Sequence, residues 1–357
     1  EVPLPFFVLG GIYGGFFAAI EIRENPRLKG KCVIVGGPPN SRGVVSTCSY
    51  EARKFGVHSG MSSYQAWNLC PDAIFVDHHF NLYIQVSNQI REIFYKWTDT
   101  VEPMSLDEAY LDVTVNKMGE EDTVKIAQLI KEEVFLKTQL TCSAGVSYNK
   151  FLAKIGSDLN KPNGLTFIPP EKAKEVLFAL PIEKFHGIGK VTAARMKKMG
   201  INNGADLYKR ELKDLLMHFG KIGIFYYYVV RGIDNRELIT NFEPKTLSCE
   251  TTFDKDVDNL EELLTVLHHL SERLSERLHR KGIRGNSLTL KLKYDNFQLI
   301  TRSCRMQNNT YICEDLYKYG EQLLIANWDC SRKVRLLGLG ISNLDNVTTN
   351  EQLLLPL

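Results

Sequence analysis

Between Leu82 and Trp97, Ile84, Val86, Ile90, Ile93 and Phe94 recur every three to four residues, which predicts one long amphipathic helix. The segment 124–140 reads as a second helix, with shorter helical stretches at 50–55 and 62–69. Short apolar runs at 33–36 and 74–76 read as strands. So do 106–113, where apolar residues alternate with others, and 141–146. Strands and helices mixed in this order predict an α+β or α/β arrangement for about the first 165 residues.

The pattern changes after Ile168-Pro169-Pro170. Residues 171–235 read as short helices without a convincing strand, and 236–246 as a linker with little periodicity. The last large unit, about 247–345, mixes helices at 258–281 and 313–327 with strands at 287–294, 297–304 and 334–343. A turn at Asp295-Asn296 joins the first two of these strands as a hairpin. A polar stretch, 346–351, precedes the end at Gln352-Leu-Leu-Leu-Pro-Leu357.

Composition narrows the class. An apolar share of 44% and a charged share of 24% fit a globular chain and exclude a disordered or collagenous one. No run of apolar residues is long enough for a membrane span. The Gly-rich start, Glu1 to Phe17, lacks a basic leader and a small-residue cleavage site and is not read as a signal peptide. The eight cysteines form no C-x-x-C pair, so no cysteine-based zinc site is expected; they read as reduced thiols of a cytosolic protein. Net charge is only +2, but its distribution is uneven: residues 171–236 hold thirteen Lys/Arg against seven Asp/Glu.

Five stretches carry candidate chemistry. Ser105-Leu106-Asp107-Glu108-Ala109-Tyr110-Leu111-Asp112 packs three carboxylates into six residues. On a regular strand Asp107 and Glu108 face opposite ways, so they share a cation only if a bulge or bend re-aims one of them. Mg²⁺ takes such hard oxygen donors and fills its other positions with water or phosphate. The same residues also fit a plain acidic strand end. Thr47, Tyr50 and Arg53 recur every three residues around a helix start near Ser49. Hydroxyl, phenol and guanidinium together suit a polyphosphate, though they equally fit a capped surface helix with a solvated arginine.

Asp158 to Gly164 is a turn that carries Lys161. His186-Gly187-Ile188-Gly189-Lys190 opens a basic helix and is similar to a helix-hairpin-helix element, whose backbone N–H groups hold a DNA phosphate; an ordinary helix–helix turn has the same look. From Arg273 to Arg305 there are nine Lys/Arg against two acids. Lys291 and Lys293 fall on one strand face there, either a surface that tracks a nucleic-acid backbone or a solvated sheet.

The order and spacing of these pieces resemble a Y-family DNA polymerase of bacterial type over nearly the whole chain from Phe16. The stretches that carry the resemblance are Phe16-Phe-Ala-Ala-Ile-Glu21, Arg42 to Thr47, Tyr50 to Gly56, Ser105 to Thr114, Ala144-Gly-Val146, Lys161-Pro-Asn-Gly164 and His186 to Lys190. The resemblance implies a multidomain α+β right hand. Its palm would be 1–14 with 78–169, its fingers 15–77, its helical thumb 170–236, its linker 237–246 and its little finger 247–345.

It implies template-directed, low-fidelity, lesion-bypassing addition of dNTPs to a primer 3′ end with two Mg²⁺ ions. Asp107 and Glu108 become catalytic metal ligands. Thr47, Tyr50, Arg53 and Lys161 become triphosphate contacts, together with the backbone amides of Gly15 to Phe17. Phe17 becomes the aromatic gate beneath the sugar that excludes a 2′-hydroxyl. Gly187, Gly189, Lys190, Lys291 and Lys293 become DNA contacts. Gln352, Leu353, Leu355 and Leu357, in the 346–357 tail, become a tethered sliding-clamp peptide. Primer–template DNA, dNTP and clamp are the expected partners of a monomer in the bacterial cytosol.

One departure accompanies the resemblance. The family opens with an apolar strand ending in Asp-x-Asp; counting back from Phe16-Phe17, those positions are Ile12 and Gly14 here. Isoleucine offers Mg²⁺ no ligand, and Gly10, Gly11 and Gly15 suit a central strand poorly. The alternative expectation is therefore a catalytically impaired, polymerase-like protein that still binds DNA and clamp. The match breaks off abruptly before Phe16, which favours a further explanation, that residues 1–15 do not record the natural sequence faithfully.

Overall fold

A computed structural model describes residues 6–12, 15–241 and 243–346, with side chains described from Gly15 to Asp345. Gly14 and the tail residues Gln352, Leu353, Leu355 and Leu357 lie outside the described residues. The chain divides into two compact units, Glu1–Asn241 and Phe242–Leu357.

The first unit is built on a five-stranded sheet in the order Val101–Pro103, Ala109–Asp112, Phe6–Ile12, Cys142–Ser147, Leu165–Ile168. The Gly-rich segment Phe6–Ile12 is the central strand, against the expectation that its glycines unfit it for that place. It runs antiparallel to both neighbours, Leu9 opposite Ala109 and Ile12 opposite Cys142, with a register shift between Gly10 and Ile12. Phe6 to Leu9 pair on both sides, whereas Gly10 pairs with Ser143 alone and Gly11 falls at the register shift.

The Phe80–Trp97 and Thr123–Thr138 helices supply Tyr83, Val86, Ile90, Ile93, Ile126, Ile130 and Val134 to the same core as Leu111, Ala144 and Val146 of the sheet. The Lys150–Leu159 helix lies against Cys142–Ser147 so closely that a Cβ on Gly145 would overlap the backbone of Ala153 and Ser157. Only glycine permits that approach, and it carries Lys154 toward the start of the Ala109–Asp112 strand.

A smaller three-stranded sheet, Val45–Cys48, Val33–Gly36 and Ile74–Val76, has its own core of Ile34, Val45, Cys48, Ala52, Val57 and Ala66. Residues 170–229 form short helices around Leu177, Met196, Leu207, Leu215 and Tyr226. This cluster also includes Phe151, Leu152 and Ile155, so the helices share a core with Lys150–Leu159.

The second unit is a four-stranded antiparallel sheet in the order Leu299–Thr310, Ile283–Tyr294, Val334–Asn346, Thr246–Val257. The helices Leu260–Lys281 and Cys313–Asn327 cover one face through Leu263, Leu267, Leu270, Leu274, Leu316 and Leu324. The strand Thr246–Val257 is not among those the sequence pattern predicts, and the hairpin turn spans four residues, 295–298, rather than two.

Candidate active site

The expected strand over 106–113 starts only at Ala109. Ser105 to Glu108 are a bend instead, because the Ser105 hydroxyl accepts from the backbone N–H of Asp107 (3.3 Å) and of Glu108 (3.1 Å) and donates to Asp107 Oδ1 (2.8 Å). The bend removes the strand alternation that would have sent the two carboxylates to opposite faces. Both line one cavity of about 590 Å³ in the first unit.

That cavity is also lined by Gly15, Phe17, Thr47, Tyr50, Arg53, Phe80 and Lys161. Segments up to 146 residues apart therefore meet at one place. The Tyr50–Arg53 helix starts where Ser49 caps it, its hydroxyl accepting from Ala52 N–H. One turn then carries Tyr50 and Arg53 to the same side, and the guanidinium lies 5.2 Å from the Tyr50 ring centroid. Gly15, at φ +79°, is the N-cap of the Phe16–Glu24 helix and gives it no side-chain cap. Among the described residues no side chain caps the first backbone N–H groups of that helix.

Phe17 is half-buried. Its ring stacks on Tyr83 at 4.2 Å between centroids and 11° between planes, with the Phe80 ring edge-on at 6.3 Å. Tyr83 is fully buried and donates its hydroxyl to the buried Glu21 carboxylate; burial, then that bond, pushes its phenol up. His79 Nδ1 lies 2.9 Å from the same carboxylate, and this bond raises its pKa.

The acids of the cavity are held unequally. Glu108 Oε1 lies 3.0 Å from Lys154 Nζ and 3.9 Å from Lys161 Nζ. Both lysines also pair with Asp158, at 3.3 and 2.6 Å. Burial pulls the Lys154 pKa down, but the charges of Glu108 and Asp158 outweigh it and leave it raised. Asp107 is pushed up by burial and by the charge of Glu108, against the lowering hydrogen bond from Ser105. Its carboxylate thus sits where further positive charge is favourable.

The remaining candidates lie elsewhere. In the first unit, Gly187 has φ +89° and Gly189 is the N-cap of the Lys190–Lys198 helix, outside the cavity. In the second unit, Lys291 and Lys293 alternate with the buried Leu290 and Leu292 on the sheet face away from the helices; Lys291 pairs with Glu250 at 2.6 Å. Sequence reasoning missed Lys154, Tyr83, Glu21 and Phe80. Lys154 and Tyr83 look like ordinary helix positions, and only the packing of their helices brings them to the site.

Sequence comparison agrees with this geometry. Residues 13–158 match the impB/mucB/samB family, 244–355 its C-terminal domain, and 170–201 the IMS family HHH motif. DNA polymerase IV of Clostridioides difficile is 49% identical over 333 residues, 93% of this chain and 91% of that protein. The chain belongs to the Y-family of DNA polymerases. Another Y-family relative, DNA polymerase IV of Leptospira interrogans, is 44% identical over 96% of both chains. Among solved structures, a Y-family polymerase chimera matches at TM-score 0.84 and 28% identity, covering 95% of this chain and 98% of that one. DinB from Sulfolobus solfataricus matches at TM-score 0.63 and 28% identity, covering 94% and 98%.

Proposed function

We propose that this Y-family chain is a DNA-directed DNA polymerase of the translesion type, extending a primer 3′ end with deoxynucleotides. One observation carries the reading: two carboxylates, a phenol–guanidinium–ammonium set and an aromatic ring line the same cavity. A dNTP needs those three things together: acid to gather cations at the reacting phosphate, base to hold the triphosphate, and an apolar surface for the sugar.

In the reaction the primer 3′-oxygen bonds to the α-phosphorus, and the bond from that phosphorus to the bridging oxygen breaks, releasing pyrophosphate. Arg53, Tyr50, Thr47 and Lys161 hold the triphosphate, together with the uncapped N–H groups after Gly15. Phe17, backed by Tyr83, meets the sugar. Lys154 takes up part of the Glu108 charge and fixes where that carboxylate points.

The donor set fits a divalent cation. Asp107 and Glu108 offer hard oxygens, and Asp107 is short of positive charge. Mg²⁺ held by these two would raise the nucleophilicity of the primer oxygen and stabilise the leaving pyrophosphate. The family resemblance implies two ions. With Ile12 in place of a third carboxylate, the second would depend on triphosphate oxygens.

The palm is assigned to 1–14 and 78–169, the fingers to 15–77, the thumb to 170–236 and the little finger to 247–345, after a linker at 237–246. Gly187, Gly189, Lys190, Lys291 and Lys293 would grip the DNA backbone, and residues 346–357 would dock on a sliding clamp in the bacterial cytosol, the polymerase itself being a monomer. Among the described residues no helix is long and apolar enough to cross a membrane. Extension of a labelled primer with preference for the nucleotide complementary to the template tests the reading; addition indifferent to the template, or none at all, refutes it.

A further inference from the structure

The Leu260–Lys281 helix buries Leu263, Leu267, Leu270, Leu274 and Leu278 against its sheet. Its outer side carries His268, His269 and Glu272, each about half or more exposed. Residues three and four apart on a helix are neighbours, so both imidazoles reach the one carboxylate. His269 Nδ1 lies 3.0 Å from one Glu272 oxygen and His268 Nδ1 3.6 Å from the other. The three ligand atoms lie within 4.8 Å of one another, and among the described residues no other group of three or more His, Cys, Asp or Glu does so.

We propose that His268, His269 and Glu272 bind one transition-metal ion of the zinc class. Bonds of about 2.0–2.2 Å in a tetrahedral site put ligand atoms about 3.3–3.6 Å apart. The two nitrogen–oxygen separations, 3.0 and 3.6 Å, fall close to that spacing but run to different Glu272 oxygens, so the carboxylate must turn to present one oxygen to both rings. The remaining edges, all within 4.8 Å, must close by small rotations of these exposed side chains. The His268 ring is also held edge-on to Tyr317, 5.2 Å between centroids, which limits its rotamers before metal arrives.

Two imidazoles and one carboxylate select Zn²⁺, Ni²⁺ or Cu²⁺ over Mg²⁺. The site therefore does not compete for the ion that the polymerase cavity suits, and it lies in the other unit of the chain. The fourth position is left to water. Cys313 lines the same surface depression with His269, Glu272 and Arg273, so thiol binding has to be separated from the three-ligand site.

Isothermal titration of Zn²⁺ into the full chain, with about 5 mM Mg²⁺ present, tests the inference. One equivalent is expected to bind at micromolar concentration. His268→Ala/His269→Ala and Glu272→Ala are expected to weaken it at least tenfold, with far-UV circular dichroism unchanged because these side chains are exposed. Cys313→Ser/Cys330→Ser should keep the binding. The proposal is overturned if the full chain takes up no Zn²⁺ at about 100 μM, if the histidine variant binds as well as the parent, or if the serine variant alone loses the ion.

Discussion

Removing the Phe17 ring tests the proposed sugar contact. That ring cannot move away from a bulkier sugar: Tyr83 stacks directly behind it, is fully buried, and is tied by its hydroxyl to the buried Glu21. Under the proposed role of Phe17, a ribonucleotide overpacks a tight aromatic pair. Overpacking costs about 1–3 kcal/mol, which is about 5- to 160-fold in rate at 1.36 kcal/mol per decade. Phe17→Ala should lower the dNTP-over-rNTP ratio of kcat/KM by that factor. Single-nucleotide addition with a matched dNTP and rNTP measures the ratio, and because it is a ratio, partial loss of folded protein cancels. The half-buried ring contributes about 2 kcal/mol to stability, so the variant should fold. Tyr83→Leu, which removes the stacked backing and also the hydroxyl that pairs with Glu21, should give an intermediate fall. A ratio unchanged within twofold in Phe17→Ala would show that the ring does not meet the sugar.

Gly15→Ala should raise the KM for dNTP tenfold or more, read by steady-state extension, since its Cβ would run into the Thr47 hydroxyl and approach Arg53 Nη2 to 3.2 Å at a φ of +79°. Asp107→Asn should raise the melting temperature at pH 7. Burial and Glu108 lift the Asp107 pKa in the folded state, so the folded protein disfavours the charged form. Stability is then lost as pH rises through the folded pKa; the gain from Asn should shrink as pH falls and vanish below about 3.9, the unfolded value, in pH-dependent melting. Ile12→Asp should speed single-turnover extension at least tenfold, because it puts a carboxylate at the first position of the family's Asp-x-Asp, while leaving the DNA affinity within twofold.

Much of the fold was legible because long periodic stretches, such as Leu82 to Trp97, have a single good solution. The strand Thr246–Val257 was not legible. Its buried positions Leu247, Cys249, Phe253 and Val257 keep one parity, but Thr251 and Lys255 interrupt the apolar side, and the pairing with Val334–Asn346 shifts register between Thr252 and Val257. Gly10 and Gly11 argued against a central strand, yet Phe6 to Leu9, paired on both sides, hold the segment in the sheet, with Gly10 paired to Ser143 alone and Gly11 at the register shift. At the site, residue type and spacing singled out Asp107, Glu108, Thr47, Tyr50, Arg53 and Lys161 as candidates. They did not reveal the Ser105 bend that aims the acids together, since a single hydroxyl capping two N–H groups leaves no periodic trace. Nor could they reveal Lys154, whose place depends on Gly145 letting two elements touch.

The account rests on Asp107 acting at the reacting phosphate. Single-turnover addition of one templated nucleotide, with Asp107→Asn beside the parent chain and DNA affinity measured in parallel, tests this most directly. The variant should lose at least about a hundredfold in rate while binding primer–template within twofold of the parent; templated addition at the parent rate would contradict it.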